Sequence, residues 1–189
     1  QYYPVSESLT IPTEDLTSML TPDIGAVLMI NYFGLRDHGE VASQIRAYNP
    51  DIQIIEDSAQ AFYGMTNQTS GNHWADFTFS SFLKSFAVPD GGCVRGRRRL
   101  KSVIPEPSSR QGVSYLLGGL LKHEYLNPDA YTTQPPELEG RFIELFDAAA
   151  KEVPEVPVRM TALSCALLER YPLAEWMQRR KNNYRFLLA

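Results

Sequence analysis

The chain has 189 residues, of which 43% are hydrophobic, and its formal net charge at pH 7 is -4. A chain of this length and hydrophobic content is predicted to be globular, as one ordinary domain or as part of a larger one. The acidic balance gives no reason to expect nucleic acid or an anionic membrane as a partner.

The two cysteines, Cys93 and Cys165, are far apart and fit neither a disulfide framework nor the ligand spacing of a zinc site. No stretch approaches the roughly 18 apolar residues of a membrane-spanning helix, and the first residues lack the pattern of a signal peptide. These features predict a cytoplasmic protein without a structural metal. Because the chain starts at Gln1, we expect it to be a trimmed or internal piece of a longer protein.

The first third of the chain predicts a strand, a helix and a second strand. A short helix is predicted over 13–20, where Thr13 precedes two acids, and the apolar run GAVLMINYF predicts a strand buried on both faces. Asp37 and Glu40 form a capping-box-like start for a helix that continues to about Tyr48. The run IQIIE, residues 52–56, predicts a second buried strand.

Strand, helix and strand make a βαβ unit, whose strands are expected to be parallel. The alternating run DFTFSSF at 76–82 predicts a third strand and GGCVRG a fourth. Ligands of such sheets bind beyond the carboxyl ends of the strands. Asp57 and Lys84 follow two of these strands, so both are predicted to reach that edge.

The remainder is predicted to be helical, over about 113–126, 137–152 and 160–188, with a break at Pro172. The predicted fold class is α/β, with a mostly parallel central sheet followed by a helical segment. The predicted division is a partial ligand-binding domain at 1–104, a helical segment at 105–157 and linking helices at 158–189.

The run IIEDSAQAF, residues 54–62, ends on two adjacent carboxylates, Glu56 and Asp57. Either both are ordinary solvated charges at a strand end, or one is directed at a cationic group. A lysine at the same edge, such as Lys84, forms an imine with an aldehyde cofactor when it is partly desolvated. Pyridoxal phosphate (PLP) is such a cofactor, and a carboxylate keeps its ring nitrogen protonated.

The residues around these two groups fit the same interpretation. In Ser81-x-x-Lys84 the serine offers a hydroxyl to the cofactor phosphate, while the lysine reaches the aldehyde. Small Ala59 leaves room for a flat ring, and the amide of Gln60 can hydrogen-bond the phenolic oxygen of that ring.

The motif IIEDSAQAF, followed by ADFTFSSFLKSFAVPDGG, resembles the DegT/DnrJ/StrS-type aminotransferases, which are PLP enzymes of the aspartate-aminotransferase fold (fold type I). The YFG at 32–34 and the run VRMTALSCALLERYPLAEWMQRRKNNY are similar to further family segments. The resemblance covers most of 1–104 and 158–188. Most members of this family act on keto sugars linked to nucleotides.

The resemblance implies a role for each of these residues. Asp57 pairs with the pyridine nitrogen, Ala59 lies against the ring, Gln60 sits near the phenolic oxygen, Ser81 helps to hold the phosphate, and Lys84 forms the Schiff base and is the catalytic residue. It further implies ping-pong transamination from a donor such as glutamate to a nucleotide-linked keto sugar, in a homodimer.

This sequence also departs from the family pattern. The family's first segment, which binds the phosphate, and its C-terminal small domain have no counterpart, and Pro157 stands where many relatives carry an asparagine. These departures keep open a catalytically silent homologue that acts in binding or dimerisation. A serine acyl-enzyme is a further alternative, because Ser-x-x-Lys is also the nucleophile motif of β-lactamases, but the accompanying motifs of that class do not occur.

The aromatic and histidine residues near the first strand receive less specific predictions. Tyr32 and Phe33 are interpreted as aromatics of the edge or the core, with a substrate-edge role for Tyr32 left open. His38 is predicted to begin a helix and not to act as a base. A surface position is predicted for His73.

Overall fold

A computed structural model describes residues 1–62, 74–97, 105, 109–127, 137–152 and 156–188. His73 lies outside these described residues. The chain forms two compact units. The sheet unit comprises Gln1–Ser85 and Gly92–Lys101, and the helical unit comprises Phe86–Gly91 and Ser102–Ala189. The boundaries predicted near residues 104 and 157 stay predictions.

The sheet unit contains two helices and four strands: α1 (Thr13–Ser18), β1 (Ala26–Ile30), α2 (Gly39–Tyr48), β2 (Gln53–Asp57), β3 (Phe77–Ser81) and β4 (Gly92–Gly96). The described helices of the helical unit are α3 (Ser109–Leu126), α4 (Glu137–Lys151), α5 (Ala162–Glu169) and α6 (Leu173–Leu188). Each of these elements was predicted from the sequence to within a few residues.

The strands lie in the order β1-β2-β3-β4. β1 pairs with β2 and β2 with β3 in parallel, whereas β4 is antiparallel to β3. The predicted α/β class, with a mostly parallel sheet and a helical segment after it, is therefore confirmed. The carboxyl ends of the three parallel strands meet at one edge, which we call the carboxyl edge.

One face of the sheet carries the hydrophobic core of this unit. Val27, Met29 and Ile54 point into it and meet Leu16 of α1 and Ile45 of α2. This corrects the expectation that β1 and β2 are buried on both faces: burial alternates along each strand, and Leu28, on the other face, is 46% exposed. The run AVLMI of β1 contains no polar residue that would indicate an exposed face, so the sequence alone suggested burial on both faces.

Both predicted helix starts are correct in position, but their side-chain caps are not formed. α1 begins at Thr13 itself, with Pro12 at the cap position and no side-chain hydrogen bond. α2 has His38 at its cap position, as a helix-start residue. Asp37 accepts a hydrogen bond from the Gly39 amide at 3.0 Å, which makes a local turn and not the predicted capping box.

In the helical unit, α3 and α4 pack as an antiparallel pair through aromatic side chains. The rings of Tyr115 and Phe146 lie 5.1 Å apart, and those of Tyr125 and Phe142 lie 5.5 Å apart. A Cβ atom at Gly118 would meet the Phe146 ring at 3.0 Å, so the missing side chain allows the two helices to approach closely. No helix within the described residues is long and apolar enough to cross a membrane.

The segment Phe86–Gly91 follows β3 in the chain but packs within the helical unit. The Phe86 and Tyr171 rings lie 5.1 Å apart, and the Ala87 amide donates to the Tyr171 hydroxyl at 2.8 Å. Asp90 accepts from the Thr161 amide at 3.1 Å. Thr161 in turn caps α5 by accepting from the Ser164 amide. These contacts hold the segment against the residues that flank α5, Thr161 before it and Tyr171 after it.

Candidate functional site

The sheet register places the predicted site residues on neighbouring strands at the carboxyl edge. Asp57 is the last residue of β2 and lies opposite Phe79 of β3. Ser81 ends β3, and Lys84 lies three residues further on, in the turn that follows. Two parallel strands therefore end in an acid and in the Ser-x-x-Lys motif, as the sequence predicted.

The alternation of side chains puts Asp57 and Ser81 on the same face of the sheet. In-register partners on parallel strands share a face, so Asp57 shares one with Phe79, and Ser81 follows Phe79 by two residues. This is the face opposite the hydrophobic core. The carboxylate and the hydroxyl are thus available to one ligand that lies across the ends of β2 and β3.

The carboxylate of Asp57 is held by the turn that follows β2. Its Oδ1 accepts a hydrogen bond from the Ala59 amide at 2.9 Å, and the Ala61 amide closes the turn on the Ser58 carbonyl at 2.9 Å. Asp57 and Ala59 are half-buried, whereas Gln60 is exposed. The turn therefore brings an oriented acid, a small residue and an amide together within four positions.

Lys84 presents its amine to solvent. The side chain is exposed, and it makes no hydrogen bond or ion pair with any other described residue. The Ser85 amide closes the turn around it by donating to the Phe82 carbonyl at 2.9 Å. The Phe82 ring is held edge-on against Phe62, with centroids 5.4 Å apart. The lysine is therefore accessible on a turn that is anchored by an aromatic pair.

Glu56, the other acid of the pair, is fully buried on the core side of the sheet. Its Oε1 accepts from the Asn31 side-chain amide at 2.7 Å, and its Oε2 accepts from the Thr78 hydroxyl at 3.1 Å. The reading of both acids as solvated strand-end charges is therefore wrong for Glu56, which is 0% exposed. Sequence reasoning missed this network, although a polar residue in or directly after each of three neighbouring strands was its signal.

A left-handed turn at the end of β1 borders the same edge. The backbone amide of Asn31 donates to the backbone carbonyl of Asp57 at 2.8 Å, so the turn starts beside the candidate site. Phe33 and Gly34 have φ values of 58° and 73°. Tyr32 is half-buried and Phe33 is exposed. Phe33 is therefore an aromatic of the edge and does not belong to the core.

A cavity of about 540 Å³ lies along β1, between that strand, α1 and the first residues of the chain. Tyr3 crosses this region, and its hydroxyl donates to the Leu28 carbonyl at 2.7 Å. Burial raises the pKa of the Tyr3 phenol. Tyr32 lines the cavity, but Asp57 and Lys84 do not. The cavity is therefore separate from the predicted ligand-binding residues.

The described residues offer no group of three or more metal-ligating side chains. Cys93 and Cys165 are free, as predicted. Cys93 lies on β4, and burial raises the pKa of its thiol. Pro157 is exposed in the extended segment before α5.

The fold has similarities among solved structures. The chain is similar to the crystal structure of 3-amino-5-hydroxybenzoic acid (AHBA) synthase, with a TM-score of 0.38 and 15% sequence identity. The alignment covers 77% of this chain and 38% of that one, so this chain spans well under half of its length. No family model matches the sequence, and no curated protein matches it.

Proposed function

We propose that this chain is part of a PLP-dependent aminotransferase of the DegT/DnrJ/StrS type. In this proposal it transfers an amino group from a donor such as glutamate to a keto sugar linked to a nucleotide. The observation that carries the proposal is the ending of two neighbouring parallel strands, β2 in Asp57 and β3 in Ser81-x-x-Lys84, at one edge of the sheet. The family resemblance of the same motifs supports it.

The donor set at this edge fits the cofactor chemically. Asp57 is a half-buried acid with one oxygen held by the Ala59 amide, so its orientation is fixed before any ligand binds. A carboxylate in this orientation can accept a charge-assisted hydrogen bond from a protonated ring nitrogen. The exposed amine of Lys84 matches an aldehyde, and the Ser81 hydroxyl is a donor for a phosphate oxygen.

The roles of the residues follow from these groups. When bound, PLP would supply an electron sink at the donor's α-carbon. Asp57 stabilises the positive charge on the ring nitrogen, and Ala59 leaves space for the ring. Gln60 donates its amide to the phenolic oxygen. Lys84 Nζ takes the proton from the α-carbon of the amino donor and acts as general base and then as acid.

The test is PLP binding by the purified full-length protein. We expect a visible absorption band that is lost in Lys84→Ala and kept in Lys122→Ala, which removes an exposed lysine of α3. Borohydride reduction should attach the cofactor to the peptide that contains Lys84, as read by mass spectrometry. A band that survives in Lys84→Ala would contradict the assignment of the lysine. A full-length protein that never converts glutamate to 2-oxoglutarate would contradict the aminotransferase.

A catalytically silent homologue is the second candidate. The observation that favours it is the exposure of Lys84, because a lysine gains reactivity as a nucleophile when it is desolvated. PLP binding without glutamate conversion would select this candidate. A homodimer and a cytoplasmic location belong to both proposals, and light scattering on the full-length protein tests the oligomeric state.

A further inference from the structure

The turn after β1 holds a bulky side chain in a backbone conformation that it rarely adopts. Phe33 has a φ of 58°, in the left-handed region, and its side chain is 62% exposed. L-residues larger than asparagine are disfavoured there, so the surroundings must impose the conformation. Such outliers occur preferentially at functional sites. An exposed aromatic ring on a strained backbone therefore requires an explanation.

The buried network below the carboxyl edge imposes this conformation through Asn31. The Oδ1 of Asn31 accepts from the Gly34 amide at 3.0 Å, while its Nδ2 donates to Glu56 at 2.7 Å. An amide has one accepting and one donating end, so Glu56 selects the orientation in which Oδ1 faces Gly34. Thr78 on β3 fixes the second oxygen of Glu56 at 3.1 Å. The turn is thus tied through Glu56 to two neighbouring strands, β2 and β3.

The same turn lies beside the proposed cofactor residues. The backbone amide of Asn31 donates to the backbone carbonyl of Asp57 at 2.8 Å. A Cβ atom built on Gly34 would lie 4.0 Å from the Cβ of Ala61, which closes the turn after β2. The Phe33 backbone therefore adjoins the turn that carries Asp57 and Ala59, at the edge where a substrate would enter.

We propose that Phe33 contacts the ring of the amino acceptor and that Glu56, acting through Asn31, is its positioning residue. This inference rests on the proposed function. The apolar face of a sugar ring or of a nucleotide base packs on an aromatic ring, and a side chain already held in place loses little freedom on binding. The exposed ring and its rigid support account together for the strained turn.

The first experiment separates the two half-reactions in the full-length protein with bound PLP. Phe33→Ala should leave the single-turnover reaction with glutamate within about twofold, but raise the KM for the keto-sugar acceptor roughly five- to tenfold. Phe33→Tyr should restore the KM. Leu35→Ala is the matched control, because Leu35 is 56% exposed in the same loop and takes no part in the network.

A binding measurement and a stability measurement add readouts independent of turnover. Calorimetry with dTDP-glucose and UDP-glucose, which carry no keto group, should show weaker binding by Phe33→Ala than by Leu35→Ala. Phe33→Gly should unfold at a higher urea concentration than Phe33→Ala, because glycine adopts a positive φ without strain. Equal midpoints for these two variants would show that the turn is not strained.

The second experiment tests the positioning role. Amide hydrogen exchange at Gly34, and chymotrypsin cleavage after Phe33, should be roughly five- to tenfold faster in Asn31→Ala than in the wild type. Glu56→Gln keeps the shape of the side chain and one acceptor, so its exchange rate at Gly34 should lie between those of the wild type and Asn31→Ala. The amides of α2 should exchange at their wild-type rates in both variants, which excludes general destabilisation.

The outcomes distinguish this inference from the proposed function. Absence of glutamate conversion by the wild type overturns the proposed function and, with it, the acceptor contact. Normal glutamate conversion with an unchanged acceptor KM in Phe33→Ala overturns the contact alone. An unchanged exchange rate at Gly34 in Asn31→Ala overturns the positioning role of Glu56, whatever the activity.

Discussion

Arg46 of α2 donates from one guanidinium nitrogen to both carboxylate oxygens of Asp76, at 3.0 Å each. Asp76 lies directly before β3, and its Oδ2 also accepts from the Ile54 amide on β2 at 2.8 Å. One carboxylate therefore joins a helix to two strands. Because β2 and β3 end in the candidate site, this pair helps to define the register that places Asp57 opposite Phe79, two residues before Ser81.

Asp76→Ala is expected to lower the free energy of unfolding by about 2 to 4 kcal/mol, because it removes the ion pair of the partly buried Arg46, which keeps only the Trp74 carbonyl, and the side-chain acceptor of the Ile54 amide. The exposed fractions of the two side chains are 29% and 16%. Glu175→Ala is the control: it breaks the exposed pair with Arg179 and should cost less than about 1 kcal/mol. Urea unfolding measures both. Equal costs for the two variants would contradict a structural role for Asp76.

Gly92, at the start of β4, is expected to tolerate no side chain. A Cβ atom there would lie 2.5 Å from the Ser80 carbonyl oxygen, which belongs to the paired strand β3. Gly92→Ala should therefore destabilise the protein by about 2 kcal/mol or more. In contrast, Gly119→Ala on α3 meets nothing within 4 Å and should stabilise it by roughly 0.5 to 1 kcal/mol. Thermal unfolding of the two variants should shift in opposite directions.

Tyr3→Phe is expected to cost about 0.5 to 1.5 kcal/mol at pH 7, because it removes the hydrogen bond to the Leu28 carbonyl. Burial raises the pKa of the Tyr3 phenol above its ordinary value of 10.0, so the folded state favours the neutral phenol. This contribution is fully present below the ordinary pKa and is lost as the pH rises through the raised pKa of the folded state.

The measurement is urea unfolding of the wild type and Tyr3→Phe from neutral to strongly alkaline pH. The difference between them should be constant below about pH 9 and shrink above about pH 10. Tyr2→Phe is the matched control, because Tyr2 is almost fully exposed. A difference that grows with pH would refute the assigned sign.

Asp57→Asn isolates the charge of the proposed cofactor partner. An asparagine keeps an acceptor for the Ala59 amide, so the fold should change by less than about 0.5 kcal/mol. We expect the visible PLP band to remain, while the single-turnover rate with glutamate falls roughly 100-fold. Asp51→Asn, in the exposed turn before β2, should leave this rate unchanged. Retention of the full rate in Asp57→Asn would remove the acid from the mechanism.

The positions of the strands were predictable because each is a short run of apolar or alternating residues between turn residues. The burial of each face was not predictable, because Leu28, which is exposed, and Ile55, which is half-buried, are as apolar as their buried neighbours. Exposure of these positions depends on what covers the second face, which local sequence does not encode. The helix positions were predictable, but the side-chain cap of α2 was not, because Asp37 accepts a hydrogen bond from the nearer Gly39 amide.

At the candidate site, the positions of Asp57 and Lys84 after two neighbouring strands were predictable from the apolar runs that precede them. The burial of Glu56 was not predicted. Its two partners, Asn31 and Thr78, are separated from it by 25 and 22 residues, so the network exists only once the register of three strands is known. Glu56 is therefore buried on the core face and Asp57 lies on the other face, because successive side chains of a strand point to opposite faces.

The packing of Phe86 has a consequence for the order in which the protein matures on the ribosome. The segment that begins at Phe86 is made between two strands of the sheet, but its anchor, Tyr171, follows Ala87 by 84 residues. A nascent chain that has completed β4 therefore still displays an apolar side chain without its aromatic partner. Cleavage between Gly91 and Gly92 or between Lys101 and Ser102 would leave Phe86 and Tyr171 on different fragments, whereas cleavage between Ser85 and Phe86 would keep them together.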